Sequence, residues 1–197
     1  EVRDGAAGPA TLDLTDVTLD MNNAGAAAPA PGNGGGLHIT GASATTITGG
    51  TVSNNVAALE GGGLWNGSGT MSVTGTTIDA NTANGDDGGA AGGGGIYNEG
   101  GAVTTGAGTM ITNNLATTGA SGSGGGLLIA GGSYTATGTT ITGNLANRAG
   151  GGIEVRDGAA GPATLDLTDV TLDMNNAGAA APAPGNGGGL HITGPSN

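Results

Sequence analysis

The chain has 197 residues, among them 47 glycines, one tryptophan, two tyrosines and neither cysteine nor phenylalanine. This excludes a disulfide framework and a thick core built on aromatics, and leaves a thin core of Val, Ile, Leu, Met and Ala. Fifteen acidic residues against three arginines give a formal net charge of −12, which repels phosphate backbones, so no nucleic-acid partner is expected.

Residues 1–33 read as a unit without leading glycines. Leu12, Leu14, Val17, Leu19 and Met21 lie among Asp13, Thr15, Asp16, Thr18 and Asp20, which predicts two short strands with a bend at Thr15-Asp16. Asn22 follows, and a loop containing Pro29 and Pro31 closes the unit, because proline has no amide to give to a ladder. The next unit, 34–60, opens on Gly34-Gly35-Gly36-Leu37 and predicts strands over 37–40, 45–48 and 50–53. The unit at 61–92 predicts strands over 64–66, 71–74 and 76–79, and its glycine-rich loop carries Asp86 and Asp87. The unit at 93–123 is the least regular, with Gly106 and Ala107 where the others have an aliphatic residue and threonine. Strands over 134–137 and 139–142 are predicted in the unit at 124–149; 150–186 and the partial 187–197 complete the series.

Two marks recur through these units. Three glycines and an aliphatic residue begin at Gly34, Gly61, Gly93, Gly124, Gly150 and Gly187, spaced 27, 32, 31, 26 and 37 residues apart. An asparagine follows each of the first five at 21, 20, 21, 20 and 25 residues: Asn55, Asn81, Asn114, Asn144 and Asn175, with Asn22 equivalent in the first unit. The interval from asparagine to the next triplet varies from 6 to 12. A near-constant body with an elastic loop is one coil of a solenoid. The prediction is therefore an all-β chain forming one right-handed parallel β-helix (β-solenoid) over residues 1–197, about five full coils of 26–37 residues with partial coils at both ends. Glycine and threonine dominate and the apolar period is two, which argues against helices.

Residues 1–41 recur without one change as 154–194, an offset of 153 that equals five triplet intervals. The segment thus reads as one five-coil block and the beginning of its next copy, either from near-identical tandem blocks or by deliberate construction. A stack with such ends predicts self-association, either with neighbouring repeats or head-to-tail into a fibre, since a heterologous interface that does not close makes filaments.

Gly93-Gly94-Gly95-Ile96-Tyr97-Asn98 and Thr76-Thr77-Ile78-Asp79-Ala80-Asn81-Thr82-Ala83 resemble the repeats of right-handed parallel β-helix surface proteins, including the polymorphic outer-membrane protein type. The resemblance spans essentially the whole chain and implies secretion to the outside of the cell or to a bacterial surface, as a stalk, adhesin or passenger segment. The chain lacks the phenylalanine-containing tetrapeptide of the pathogen adhesins. No apolar run reaches the length of a membrane span, and Glu1 opens no signal peptide, so a secretion signal is expected outside this segment.

The asparagine series predicts a stacked amide ladder with a structural role. After each triplet's aliphatic residue comes a rank expected to point outward: His38, Trp65, Tyr97, Leu128, Glu154 and His191. Trp65 and Tyr97 on adjacent coils would form an exposed aromatic strip, and with His38 they are the candidate contacts for glycans or a protein partner. Threonine ranks at Thr15, Thr48, Thr74, Thr137 and Thr168 and at Thr18, Thr51, Thr77, Thr140 and Thr171 open an ice-binding reading, interrupted by Ala107 and Met110. Asp13, Asp16 and Asp20, with Asp86 and Asp87, are the calcium candidates, although no aspartate follows the glycines as a calcium nonapeptide requires. Asn66-Gly67-Ser68 is a sequon. Arg3, Arg148, Arg156, His38 and His191 are the only basic side chains, and no spacing supports a triad or paired catalytic carboxylates, so neither enzymatic activity nor a cofactor is expected.

Overall fold

The computed structural model describes residues 1–6, 8–25, 32–85, 92–117, 122–158, 161–178 and 185–194. All its regular structure is strand, and every strand pairing between coils is parallel. The first sheet stacks Val2–Arg3, Leu37–Thr40, Leu64–Asn66, Ile96–Asn98, Leu127–Ile129, Ile153–Arg156 and Leu190–Thr193. The second stacks Thr11–Thr15, Ala44–Thr48, Thr70–Thr74, Ala102–Thr105, Gly132–Thr137 and Ala163–Thr168. The third holds Thr18–Asp20, Thr51–Ser53, Thr77–Asp79, Met110–Thr112, Thr140–Thr142 and Thr171–Asp173. This is a parallel β-solenoid: each coil lays one strand on each sheet and passes to the next.

A fourth sheet was not predicted. It stacks the two-residue strands Asn23–Ala24, Val56–Ala57, Thr82–Ala83, Leu115–Ala116, Leu145–Ala146 and Asn176–Ala177, just after the ladder asparagines. Two residues are too few for alternation to show in sequence.

Side chains alternate along the strands as the period of two demands. In Ala44–Thr48 the buried residues are Thr45 and Ile47, and the residues between them are exposed. Ile47, Met71, Val73, Val103, Tyr134 and Ala136 from the second sheet meet Val52, Ile78, Ile111 and Ile141 from the third in one core. Tyr134 is the largest fully buried side chain; its hydroxyl lies 2.8 Å from Thr105 Oγ1, which lies 2.8 Å from Thr139 Oγ1. Burial pushes the Tyr134 phenol far above its ordinary value.

The corners need left-handed backbone. The first glycine of every triplet has positive φ, between 57° at Gly187 and 67° at Gly34. The longer triplet-to-asparagine interval in the unit at 150–186 has a local cause: Gly158 and Gly161 exchange both backbone hydrogen bonds, at 3.3 and 3.1 Å, and form a small antiparallel excursion between the first and second strands. Gly5 and Gly8 make the same excursion in the first unit.

The glycines differ in what they do. A β-carbon at Gly94 would overlap the Gly125 carbonyl of the next coil and lie 2.6 Å from the Leu115 backbone nitrogen. At Gly75, φ is +63° and a β-carbon would meet nothing closer than 4.0 Å. Gly75→Ala should therefore lose about 1 kcal/mol through backbone strain alone. Gly94→Ala should lose at least ~3 kcal/mol, because backbone has to move on two coils. Urea unfolding of both variants measures the difference.

Candidate functional site

The rank His38, Trp65, Tyr97, Leu128, Glu154 and His191 stacks in register, each residue opposite the next along the first sheet. Its four inner members do not face solvent, while His38 and His191 at the ends are half-buried. Trp65 is 6% and Tyr97 4% exposed, and with Leu128 and Ala130 they make a second small core on the far face of the sheet. At the triplets beginning at Gly61 and Gly150, the turn brings a residue just ahead of it onto the side chain just after it. Glu60 accepts a hydrogen bond from Trp65 Nε1 at 3.1 Å, and Arg148 Nη2 donates to Glu154 Oε1 at 2.7 Å. The expected exposed aromatic strip is thus a buried one. The Trp65 and Tyr97 rings stack at 6.1 Å with planes 9° apart, while His38 meets Trp65 edge-on at 4.4 Å. Burial raises the Tyr97 phenol well above its ordinary value, and Glu60 adds to the effect. An apolar Leu128 inside the rank, and Glu60 five residues ahead of Trp65, were the available signals.

Glu154 is 0% exposed and is held from two sides, by Arg148 and by His191 Nδ1 at 2.8 Å. Partners of this kind allow a carboxylate to remain buried. Its duplicate in sequence, Glu1, is exposed.

The asparagines form a continuous ladder. Backbone N and Nδ2 of Asn22 both donate to Asn55 Oδ1 at 2.9 Å. Asn55 donates in the same way to Asn81, Asn81 to Asn114, Asn114 to Asn144 and Asn144 to Asn175. Each Nδ2 from Asn55 onward also donates to a carbonyl of the preceding coil, as Asn114 does to Ile78 at 2.9 Å. A second, shorter amide pair was not predicted: Asn66 Nδ2 donates to Asn98 Oδ1 at 2.9 Å in the first sheet. Asn66 is fully buried, which closes the sequon to glycosylation.

Of the calcium candidates, Asp13 and Asp16 are exposed on the first unit. Asp20 accepts from Ser53 Oγ at 2.8 Å and Asn54 Nδ2 at 2.9 Å, bonds that hold its carboxyl below the usual range, Asn54 foremost. Asp86 and Asp87 lie outside the described residues. Among the described residues no three acidic, histidine or cysteine side chains converge as a metal would require. In the threonine ranks, Met110 interrupts the one through Thr77 and Thr140. In the other it is Gly106, not Ala107, that stands beside Thr74, because the coil carries its extra residue after that point. No helix among the described residues is long and apolar enough to cross a membrane.

No family model, no curated protein and no solved structure matches the chain. The class is set by its own geometry: an all-β parallel solenoid held by stacked asparagines and glycines.

Asn114→Ala should cost roughly 3–5 kcal/mol, since it strands the Asn81 backbone N–H in the interior and removes the side-chain donor from Asn144 Oδ1 and from the Ile78 carbonyl. Asn22→Ala, at an exposed position with one neighbour, should cost about 1 kcal/mol; chemical denaturation distinguishes them. A pH effect follows from His38. Burial pushes its imidazole below the ordinary 6.5, against the pull of Glu1. The folded chain binds this proton less readily than the unfolded one, so its contribution is complete above pH 6.5 and is lost as pH falls through the folded value. Thermal unfolding at pH 7.5 and at pH 5 should show a smaller loss of Tm in His38→Gln than in the parent chain.

Proposed function

We propose that the chain is a structural segment of an extracellular repetitive protein on a bacterial cell surface, lengthening a stalk or filament by stacking coils and by head-to-tail association. The observation that carries this reading is the asparagine ladder, whose donors point the same way through six coils. A ladder of that kind has no intrinsic length, because each added coil makes the bonds of the last. The identical segments 1–41 and 154–194 extend the same logic, since they repeat one surface at an interval of 153 residues.

The rival reading is a carbohydrate-binding adhesin built on Trp65 and Tyr97. A sugar ring needs an open aromatic face, and Trp65 is enclosed by Tyr97, His38 and Glu60. Ice binding has still less to build on, because Met110 and Gly106 break the threonine ranks.

Negative-stain electron microscopy and sedimentation of the purified chain test the proposal. Filaments are expected, with an axial repeat of about 24 Å for five coils at the inter-strand spacing. As the only tryptophan, Trp65 should emit at short wavelength, resist acrylamide quenching and ignore added glycans. Monomers at every concentration, together with glycan binding abolished by Trp65→Ala, would replace this reading with the adhesin.

A further inference from the structure

The partner that fits this solenoid is already present in its own sequence. Residues 1–33 contribute the first coil, which lies on the coil of residues 34–60. Thr11–Thr15 pairs with Ala44–Thr48, with Asp13 opposite Thr46 and Leu14 opposite Ile47. Leu19 lies opposite Val52 in the third sheet. Side chains reinforce the pairing: Asn22 donates twice to Asn55 Oδ1, Asp20 accepts from Ser53 and Asn54, and Asp4 accepts from the Ala42 amide and Ser43 Oγ, all at 2.8–2.9 Å. Every residue on the first-coil side of that interface recurs 153 positions later, as Asp157, Asp166, Leu167, Leu172, Asp173 and Asn175.

In their own coil those later residues already have the right conformation. Asp169 and Met174 repeat the left-handed corners of Asp16 and Met21, with φ of 53° and 52° against 53° and 55°. Ala163–Thr168 is the outermost strand of the second sheet, and Thr171–Asp173 of the third. Leu165, Leu167 and Leu172 are only partly buried, and Met174 is 80% exposed.

We propose that the chain associates by coil exchange: residues 154–186 of one copy replace residues 1–33 on the coil 34–60 of the next. This rests on the head-to-tail reading above and specifies its interface. The register is fixed without any new contact, since Asp166 of one copy takes the place of Asp13 opposite Thr46. Residues 187–194 and 34–41, also identical, compete for one place in the first sheet, and either fills it. The interface lost equals the interface gained. The balance is therefore set by the chain freedom regained in the displaced coil and by the freedom lost on association, so exchange grows with concentration. Repeating the step adds 153 residues per copy along one axis, a heterologous contact that does not close.

The chain has no cysteine, so paired substitutions report the register directly. The full chain carrying Asp166→Cys and Thr46→Cys is unfolded in urea, refolded at high concentration and oxidised. Within one copy these positions are four coils apart, about 19 Å, far beyond the reach of a disulfide. Exchange predicts a reducible ladder of oligomers whose cross-linked peptides join position 166 of one copy to position 46 of another. The pair Asp13→Cys and Thr46→Cys closes within one copy and establishes that the register permits the bond. The pair Asp166→Cys and Asp13→Cys reports simple end docking, in which positions 166 and 46 stay two coils apart, about 10 Å. A ladder from this last pair alone overturns exchange and leaves head-to-tail stacking intact. Filaments with no ladder from any intermolecular pair do the same. Monomers throughout overturn both.

Discussion

The amide of each ladder asparagine from Asn55 onward rests against the third glycine of its own unit's triplet, and that contact sets the length of the coil. A β-carbon at Gly36, Gly63, Gly95, Gly126 or Gly152 would lie between 3.0 and 3.2 Å from the Nδ2 of Asn55, Asn81, Asn114, Asn144 or Asn175. That is a tight fit, and the triplet carbonyl of the next coil, 2.6–2.8 Å from the same point, closes the place to any residue but glycine; only an amide both donates and accepts along the stack. The two marks that punctuate the sequence are thus the two halves of one contact across the coil. Their separation of 20 or 21 residues is the path from one side of the coil to the other. A longer path survives where its excess stands outside that circuit, as the excursion at Gly158 and Gly161 does.

The same contact explains strain that would otherwise be misplaced. The residue before each ladder asparagine is left-handed in all six coils: Met21, Asn54, Ala80, Asn113, Gly143 and Met174. Asparagine and glycine accept that geometry readily; methionine and alanine do so at a cost of about 1 kcal/mol. The asparagine that follows makes as many as six hydrogen bonds, its backbone N–H included, only if the corner turns this way. Its amide bonds therefore outweigh the local preference of Met21 and Ala80, as tertiary context does elsewhere.

How far the sequence could be read depends on whether the information lies within one coil or between neighbours. The strands of the first three sheets, the asparagine register and the bend at Thr15-Asp16 follow from alternation and turn chemistry inside a single unit. Burial of Trp65 and Tyr97 does not, because alternation places a side chain on a face without saying what covers that face. For Trp65 and Glu154 part of the cover comes from the segment ahead of the triplet, where no periodic pattern runs, and its trace is the pair Glu60 with Trp65 or Arg148 with Glu154. The irregular unit misled in another way: with an extra residue between Thr105 and Met110, counting along the sequence assigned Ala107 to a rank that Gly106 occupies.

The duplicated segments show how completely a neighbour decides the environment of a residue. Glu1 with His38 and Glu154 with His191 are the same pair in sequence, yet only the second makes a close contact, His191 Nδ1 to Glu154 Oε2 at 2.8 Å, because Arg148 of the preceding coil holds Glu154 in place. His38 instead has Trp65 of the following coil against it, and burial there disfavours its charge. Each copy has one of the two neighbours that its inner counterparts have on both sides. A histidine at an exchanged junction would have both: Glu154 below as a hydrogen-bond partner and Trp65 above to exclude water. The buried rank would then run from one copy into the next without a break, as the asparagine ladder would beside it. A one-dimensional stack has no other means of recognising its own continuation, since all the specificity in a coil lies in what it presents to the coil on either side.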